Sequence, residues 1–257
     1  MKRKNFKSGN LSLSYLNSES KGQPLIALHG HFQEGISFAS LAAALNPEWH
    51  LIALDQRGHG NSEHATTYTR DDYLNDLLAL IEHLKLNEPV VILGSSLGGL
   101  NAYQFASQHP ELVRALIIED IGVEIAGDLR FLLAWGGVFK TREELEERIG
   151  PRFLPYVKNS LRHDTQGWRL AFNPEDLVKS MNSVVGDYWQ DWLASSCPTL
   201  LIRGQDSNIT TETHLREMAT RRPNTEFCTI EGGHILHIDN PIEYTQLVKK
   251  FLSTLNN

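Results

Sequence analysis

Gly94-Ser95-Ser96-Leu97-Gly98 is the segment that most narrows what this chain can become. An apolar run, Val90 to Leu93, leads into it, and a helical pattern from Ser96 to Gln108 leads out. A short apolar run bounded by turn residues reads as a strand buried on both faces. A serine at the junction of such a strand and a helix projects from the sheet edge on a tight, strained turn. Strand and helix nearly touch there, so the positions two residues either side must be small. Gly94 and Gly98 meet that demand, and Gly99 adds room. The helix N-terminus brings unpaired amides and partial positive charge, which suit a developing oxyanion. Ser96 is therefore the expected nucleophile; a phosphate-binding loop or a chemically silent turn is the plainer alternative.

The same rhythm runs through most of the chain. Pro24 to Leu28 ends at His29-Gly30, Leu51 to Leu54 at Asp55, and Leu116 to Ile118 at Glu119-Asp120. Thr199 to Ile202 ends at Arg203-Gly204, and Glu226 to Ile230 at Glu231-Gly232-Gly233. Helical spacing marks Ser37 to Leu45, Tyr73 to Leu84 and Ile242 to Leu255. Strand alternating with helix predicts an α/β fold, a doubly wound and mostly parallel sheet with right-handed crossovers.

One stretch interrupts it. Between Val123 and Leu193 no buried strand is expected, helix-like pieces such as Arg142 to Ile149 and Pro174 to Asn182 recur, and four of the five tryptophans lie there. Residues 1–122 and 194–257 are thus expected to form a core, and residues 123–193 a helical lid. The length of 257 residues suits one domain with an insertion.

Composition excludes some partners. A net charge of −7 does not suggest nucleic acid or an anionic membrane surface. Met1-Lys2-Arg3-Lys4 resembles the start of a signal peptide, but Leu11 to Tyr15 alternates instead of forming the apolar stretch that must follow. No run approaches the roughly 18 apolar residues of a membrane span. Cys197 and Cys228 have no metal or redox spacing, so two buried free thiols in a cytoplasmic protein are expected.

Ser96 needs a base. Of 11 histidines, His234 follows the last apolar run and precedes the final helix, which places it on a loop at the same sheet edge as Ser96. His237, three residues on, suits packing or capping; His59, in the turn Asp55 to Ser62, suits scaffold. The loop His29-Gly30-His31-Phe32 lies beside the elbow, so the main-chain amides of His31 and Leu97 are the expected oxyanion donors. His29 and His31 lack the third-ligand pattern of a metal site, and no metal or cofactor is expected. Two aspartates end apolar runs at this edge, Asp120 and Asp206, and either can reach His234 from its strand end.

With these residues in view, the chain resembles the α/β-hydrolase superfamily over nearly its whole length. The resemblance rests on His29-Gly30, Asp55-Gln56-Arg57-Gly58-His59-Gly60-Asn61-Ser62, Gly94 to Gly99, His109-Pro110-Glu111-Leu112-Val113 and Gly232-Gly233-His234. The Asp55 to Ser62 stretch is similar to the esterase and cofactor-free haloperoxidase-like branch. Dehalogenases and epoxide hydrolases of this fold carry an aspartate nucleophile, against which Ser96 argues. Most relatives place the triad acid three residues after the glycine corresponding to Gly204, where this chain has Ser207, with Asp206 one residue early. The segment also resembles a subset, some esterases and an amide hydrolase of vitamin B6 breakdown among them, in which the acid follows the sixth strand. That resemblance implies Asp120, with Asp206 the alternative.

The expected chemistry is hydrolysis of a small ester, amide or thioester through a Ser96–His234–Asp120 triad and an acyl-enzyme. The lid would shape an apolar pocket, with Phe32, Trp135 and Trp192 as candidate substrate contacts. Arg152, Arg162 and Arg169 are available for a substrate carboxylate. The competing readings are a C–C bond hydrolase or a lyase on the same scaffold, and a non-catalytic ligand receptor. Nothing in the sequence speaks to oligomeric state.

Overall fold

Each apolar run becomes a strand, most of them with two faces to bury; Glu226 to Ile230 instead forms an edge strand in which only Ile230 is buried. In the computed structural model, which describes residues 1–255, eight strands form the main sheet: β1 Lys2–Ser8, β2 Leu11–Asn17, β3 Gln23–Leu28, β4 Trp49–Asp55, β5 Val90–Ser95, β6 Val113–Glu119, β7 Thr199–Gly204 and β8 Thr225–Ile230. Their spatial order is β1-β2-β4-β3-β5-β6-β7-β8. The first two pairings, β1 with β2 and β2 with β4, are antiparallel, and the rest of the sheet is parallel. Along β3 and β5 alternate side chains enter opposite cores: Ile26, Leu28, Val90 and Ile92 on one side, Leu25, Ala27, Val91 and Leu93 on the other.

Helices cover both faces. α2 (Arg70–His83), α3 (Leu97–Gln108) and α4 (Glu212–Arg221) pack on the first core; α1 (Ala39–Leu45) and α5 (Pro241–Thr254) pack on the second. α2 begins at a capping box, with Thr69 and Asp72 each accepting the other's backbone N–H. The crossovers bring the C-terminal ends of β3, β5, β6, β7 and β8 to one edge, where this architecture places ligands.

Residues 123–193 leave the sheet between β6 and β7. Glu124–Ile125 pairs antiparallel with Gly186–Asp187 and ties the two ends together. The segment has its own apolar cluster, including Leu132, Trp135, Leu145, Val157, Phe172 and Leu177. It is not wholly helical as expected: Leu161–Asp164 and Gly167–Leu170 form an antiparallel hairpin. Its strands are mostly half-exposed and carry Arg162, His163, Asp164 and Arg169, so no buried-strand signal marks them. Trp192 corrects a second expectation. It is fully buried against the main core, edge-on to Tyr103, with its indole N–H donating to the Met218 carbonyl. The cysteines are free but half-buried rather than buried. No described helix is long and apolar enough to cross a membrane.

Candidate active site

Ser96 sits at the end of β5, the strand between β3 and β6, and α3 starts at the next residue. Its φ is +51°, a left-handed value that a serine adopts only when the surroundings enforce it. They do so through close approach. A Cβ on Gly94 would lie 2.2 Å from the Gly98 carbonyl oxygen, and one on Gly98 would lie 2.1 Å from that of Leu28. The Ser96 N–H donates to the Glu119 carbonyl on β6 (3.0 Å), which locks the elbow to the neighbouring strand.

The edge ends of β6, β7 and β8 supply the rest. His234 follows β8, and its Nδ1 lies 2.6 Å from Oδ2 of Asp120, which follows β6 and is fully buried. The geometry therefore pairs His234 with Asp120. Asp206 is exposed on the loop after β7, and its carboxylate takes no hydrogen-bond partner among the described residues. Asp120 is anchored by more than the histidine. Thr210 Oγ1 donates to it at 2.7 Å, the Gly204 N–H at 3.3 Å, and Ser207 Oγ through a short hydrogen bond. His234 Nε2 has no partner among the described residues.

Ser96 and His234 open into one cavity of about 690 Å³, together with His31 and Leu97. The main-chain N–H groups of His31 and Leu97 find no acceptor among the described residues, so both are free to bind an anion. Phe32, Leu100, Ile125, Phe131, Phe153 and Met181 give the cavity an apolar wall. Trp135 does not line the cavity; it stands behind the wall, edge-on to Phe32, Phe131 and Phe153. Trp192, docked in the core, is not part of the wall. Of the three arginines, Arg162 is paired with Glu34 and Arg169 with Asp164, while Arg152 reaches the cavity.

His237, His29 and His59 are held in scaffold hydrogen bonds, while His214 lines the cavity with its Nε2 accepting the Val123 N–H (3.2 Å). His237 is buried with Nδ1 against Glu119 (2.8 Å) and Nε2 near Ser37 Oγ (3.1 Å), away from the cavity. His29 Nδ1–H donates to the Gly30 carbonyl (2.7 Å), and its Nε2 accepts the Gln56 N–H (3.0 Å). His59 Nδ1–H donates to the Arg57 carbonyl (2.9 Å). Burial pushes His29 down to about 4, with nearby His31 and His237 adding to the effect, and pushes His59 down to about 3, with nearby His29 adding to it. His31 is pushed well below the histidine range by burial, then by the charges of His59, Arg70 and His234. Among the described residues no three His, Cys, Asp or Glu side chains come together as a metal-ligand group.

Residues 23–241 match the family model for the alpha/beta hydrolase fold. The chain belongs to the α/β-hydrolase family. It is 26% identical to a putative esterase/lipase of Haemophilus influenzae, over 89% of this chain and 83% of that protein. It is also 26% identical to an sn-1-specific diacylglycerol lipase of Mus musculus, over 95% of this chain and 85% of that one. The crystal structure of E-2-(acetamidomethylene)succinate hydrolase superposes with a TM-score of 0.88 at 21% identity, covering 98% of this chain and 99% of that one.

As an α/β-hydrolase, the chain departs from the commoner pattern at Ser207, and the structure gives the departure a physical sense. Where a carboxylate would otherwise stand, a hydroxyl donates to the carboxylate of Asp120. The sequence marked Ser207 only as the position lacking an acid and did not mark Thr210, because neither shows a role until Asp120 is placed beside it.

Proposed function

We propose that this α/β-hydrolase is a serine hydrolase that cleaves a small carboxylic ester, or a related amide or thioester, through an acyl-enzyme. The observation that carries the reading is the 2.6 Å contact between His234 and the buried Asp120, with His234 opening into the same cavity as Ser96. In this mechanism Ser96 Oγ attacks the substrate carbonyl and His234 Nε2 takes its proton. Asp120 accepts a hydrogen bond from His234 Nδ1–H, which fixes the tautomer and stabilises the imidazolium. The N–H groups of His31 and Leu97 receive the oxyanion. His234 then protonates the leaving group, a water activated by the same histidine attacks the acyl-enzyme, and the acid departs. The chain supplies the nucleophile, the base, its orienting acid and the oxyanion donors of this route, and water is the second nucleophile.

The apolar wall favours an acyl or alcohol part with hydrocarbon character. Residues 123–193 act as a lid: Ile125, Phe131, Phe153 and Met181 come from that segment and close the cavity above Ser96. Relatives named as putative esterase/lipase, sn-1-specific diacylglycerol lipase and 2-(acetamidomethylene)succinate hydrolase support hydrolysis by acyl transfer to water as the reaction class. A panel of p-nitrophenyl esters and simple amides is the test. Turnover that vanishes in Ser96→Ala supports the reading, whereas no ester, thioester or amide turned over by a folded wild type counts against it.

A further inference from the structure

The loop that carries the oxyanion donor is tied down mainly by side chains. Gln56 Nε2 donates to the His29 carbonyl (2.6 Å), and the Gly30 N–H donates to Gln33 Oε1 (3.2 Å). The His31 amide itself is unpaired, as an oxyanion donor must be. On one side of it is a glycine, and on the other is Phe32 at φ +53°. The Gly30 carbonyl, which shares a peptide plane with that N–H, accepts from His29 Nδ1–H at 2.7 Å, so the N–H is held from the glycine side by this bond and from its own side by whatever holds the His31 ring. The ring is buried, and its Nε2 lies 2.9 Å from Ser180 Oγ. Ser180 Oγ lies in turn 2.8 Å from the hydroxyl of Tyr73 on α2. Ser180 is fully buried on the helix Pro174–Val184, which presents Met181 and Val184 to the cavity. One hydroxyl therefore joins the oxyanion loop, α2 and the cavity roof.

We propose that Ser180 is a positioning residue for the oxyanion hole, holding the His31 ring, and through it the His31 amide, against the roof of the cavity. This inference rests on the serine-hydrolase reading above. A serine hydroxyl has one proton and two lone pairs, so it serves an imidazole nitrogen and a phenol at once, one as donor and one as acceptor. Burial and nearby positive charge keep His31 neutral, which leaves it able to make this bond without adding charge beside His234. The roof helix bears the pin, so its placement and the aim of the oxyanion donor are set together.

The test is steady-state kinetics on a p-nitrophenyl ester, paired with binding of a boronic acid that mimics the tetrahedral intermediate. Ser180→Ala is expected to lower kcat about 10-fold and to weaken the boronate by a similar factor, with KM changed by less than about twofold, because a misaimed donor harms the transition state more than the ground state. Ser180→Thr, which keeps the hydroxyl, restores most of the loss. Tyr73→Phe frees the far side of the Ser180 hydroxyl and costs about threefold in kcat. A folded Ser180→Ala with wild-type kcat and boronate affinity overturns the proposal, as does a change confined to KM. If thermal unfolding shows that Ser180→Ala does not fold, Tyr73→Phe decides, and an unchanged kcat there overturns it. None of these results touches the nucleophile; an active Ser96→Ala would sink the underlying reading instead.

Discussion

Asp120 holds a left-handed backbone conformation, φ +47°, which aspartate tolerates better than most residues. Its buried carboxylate depends on donors from three other segments, the β7 turn, the loop to α4 and the His234 loop. Replacing it with asparagine keeps the shape and removes the preference for the productive tautomer of His234. Asp120→Asn should therefore lower kcat by about 10³ to 10⁴-fold, while Asp206→Asn, exposed and unbonded, should change it by less than about twofold. The reverse pattern in a steady-state assay would move the acid to Asp206. The choice was not legible from residue chemistry alone, because both aspartates end apolar runs at the same edge; the resemblance supplied the lean. The positions of Ser96, His234, His31 and Leu97 at one cavity were legible because each stands beside a strand end. Trp135 and Trp192 were misread for the opposite reason: being aromatic says nothing about which way a side chain points.

At the scale of elements, the elbow between β5 and α3 depends on the absence of two side chains. Gly98→Ala would drive a methyl into the Leu28 carbonyl, and a stability loss of about 3 kcal/mol is expected in urea unfolding, with activity lost alongside. An alanine variant of wild-type stability would mean that strand and helix can separate. The turn after β4 is held differently: Arg57 bonds both oxygens of the buried Asp76, at 2.7 and 2.9 Å. Arg57→Ala strands that carboxylate and should cost about 3–5 kcal/mol by the same measurement. The strands buried on both faces were legible because their runs are uninterrupted. β1, with Lys2, Arg3, Lys4 and Lys7, and α4, with charges along most of its length, were not. Such elements are fixed by pairing with β2 and by packing of Leu215 and Met218, which a linear reading cannot see.

Across the whole molecule, buried neutral histidines make the fold sensitive to acid. The unfolded chain takes up protons at His29 and His59 below the ordinary histidine value of 6.5, whereas the folded chain does so only near 4 and 3. Their contribution to stability is therefore present above pH 6.5 and is lost as pH falls toward those values, by about 2 kcal/mol for each at pH 5. Urea midpoints at pH 7.5 and 5 should show the drop, and His59→Phe should flatten it; midpoints independent of pH would contradict it. The same sheet edge brings Ser96 and His234 to one cavity, with Asp120 buried behind His234, and in the proposed reaction Ser96 becomes acylated there. A fluorophosphonate probe followed by intact-protein and peptide mass spectrometry tests this most directly. One equivalent of label on Ser96, with loss of ester turnover in step with labelling and no label in Ser96→Ala, is the predicted result. Label on another residue, or full turnover in Ser96→Ala, would contradict it.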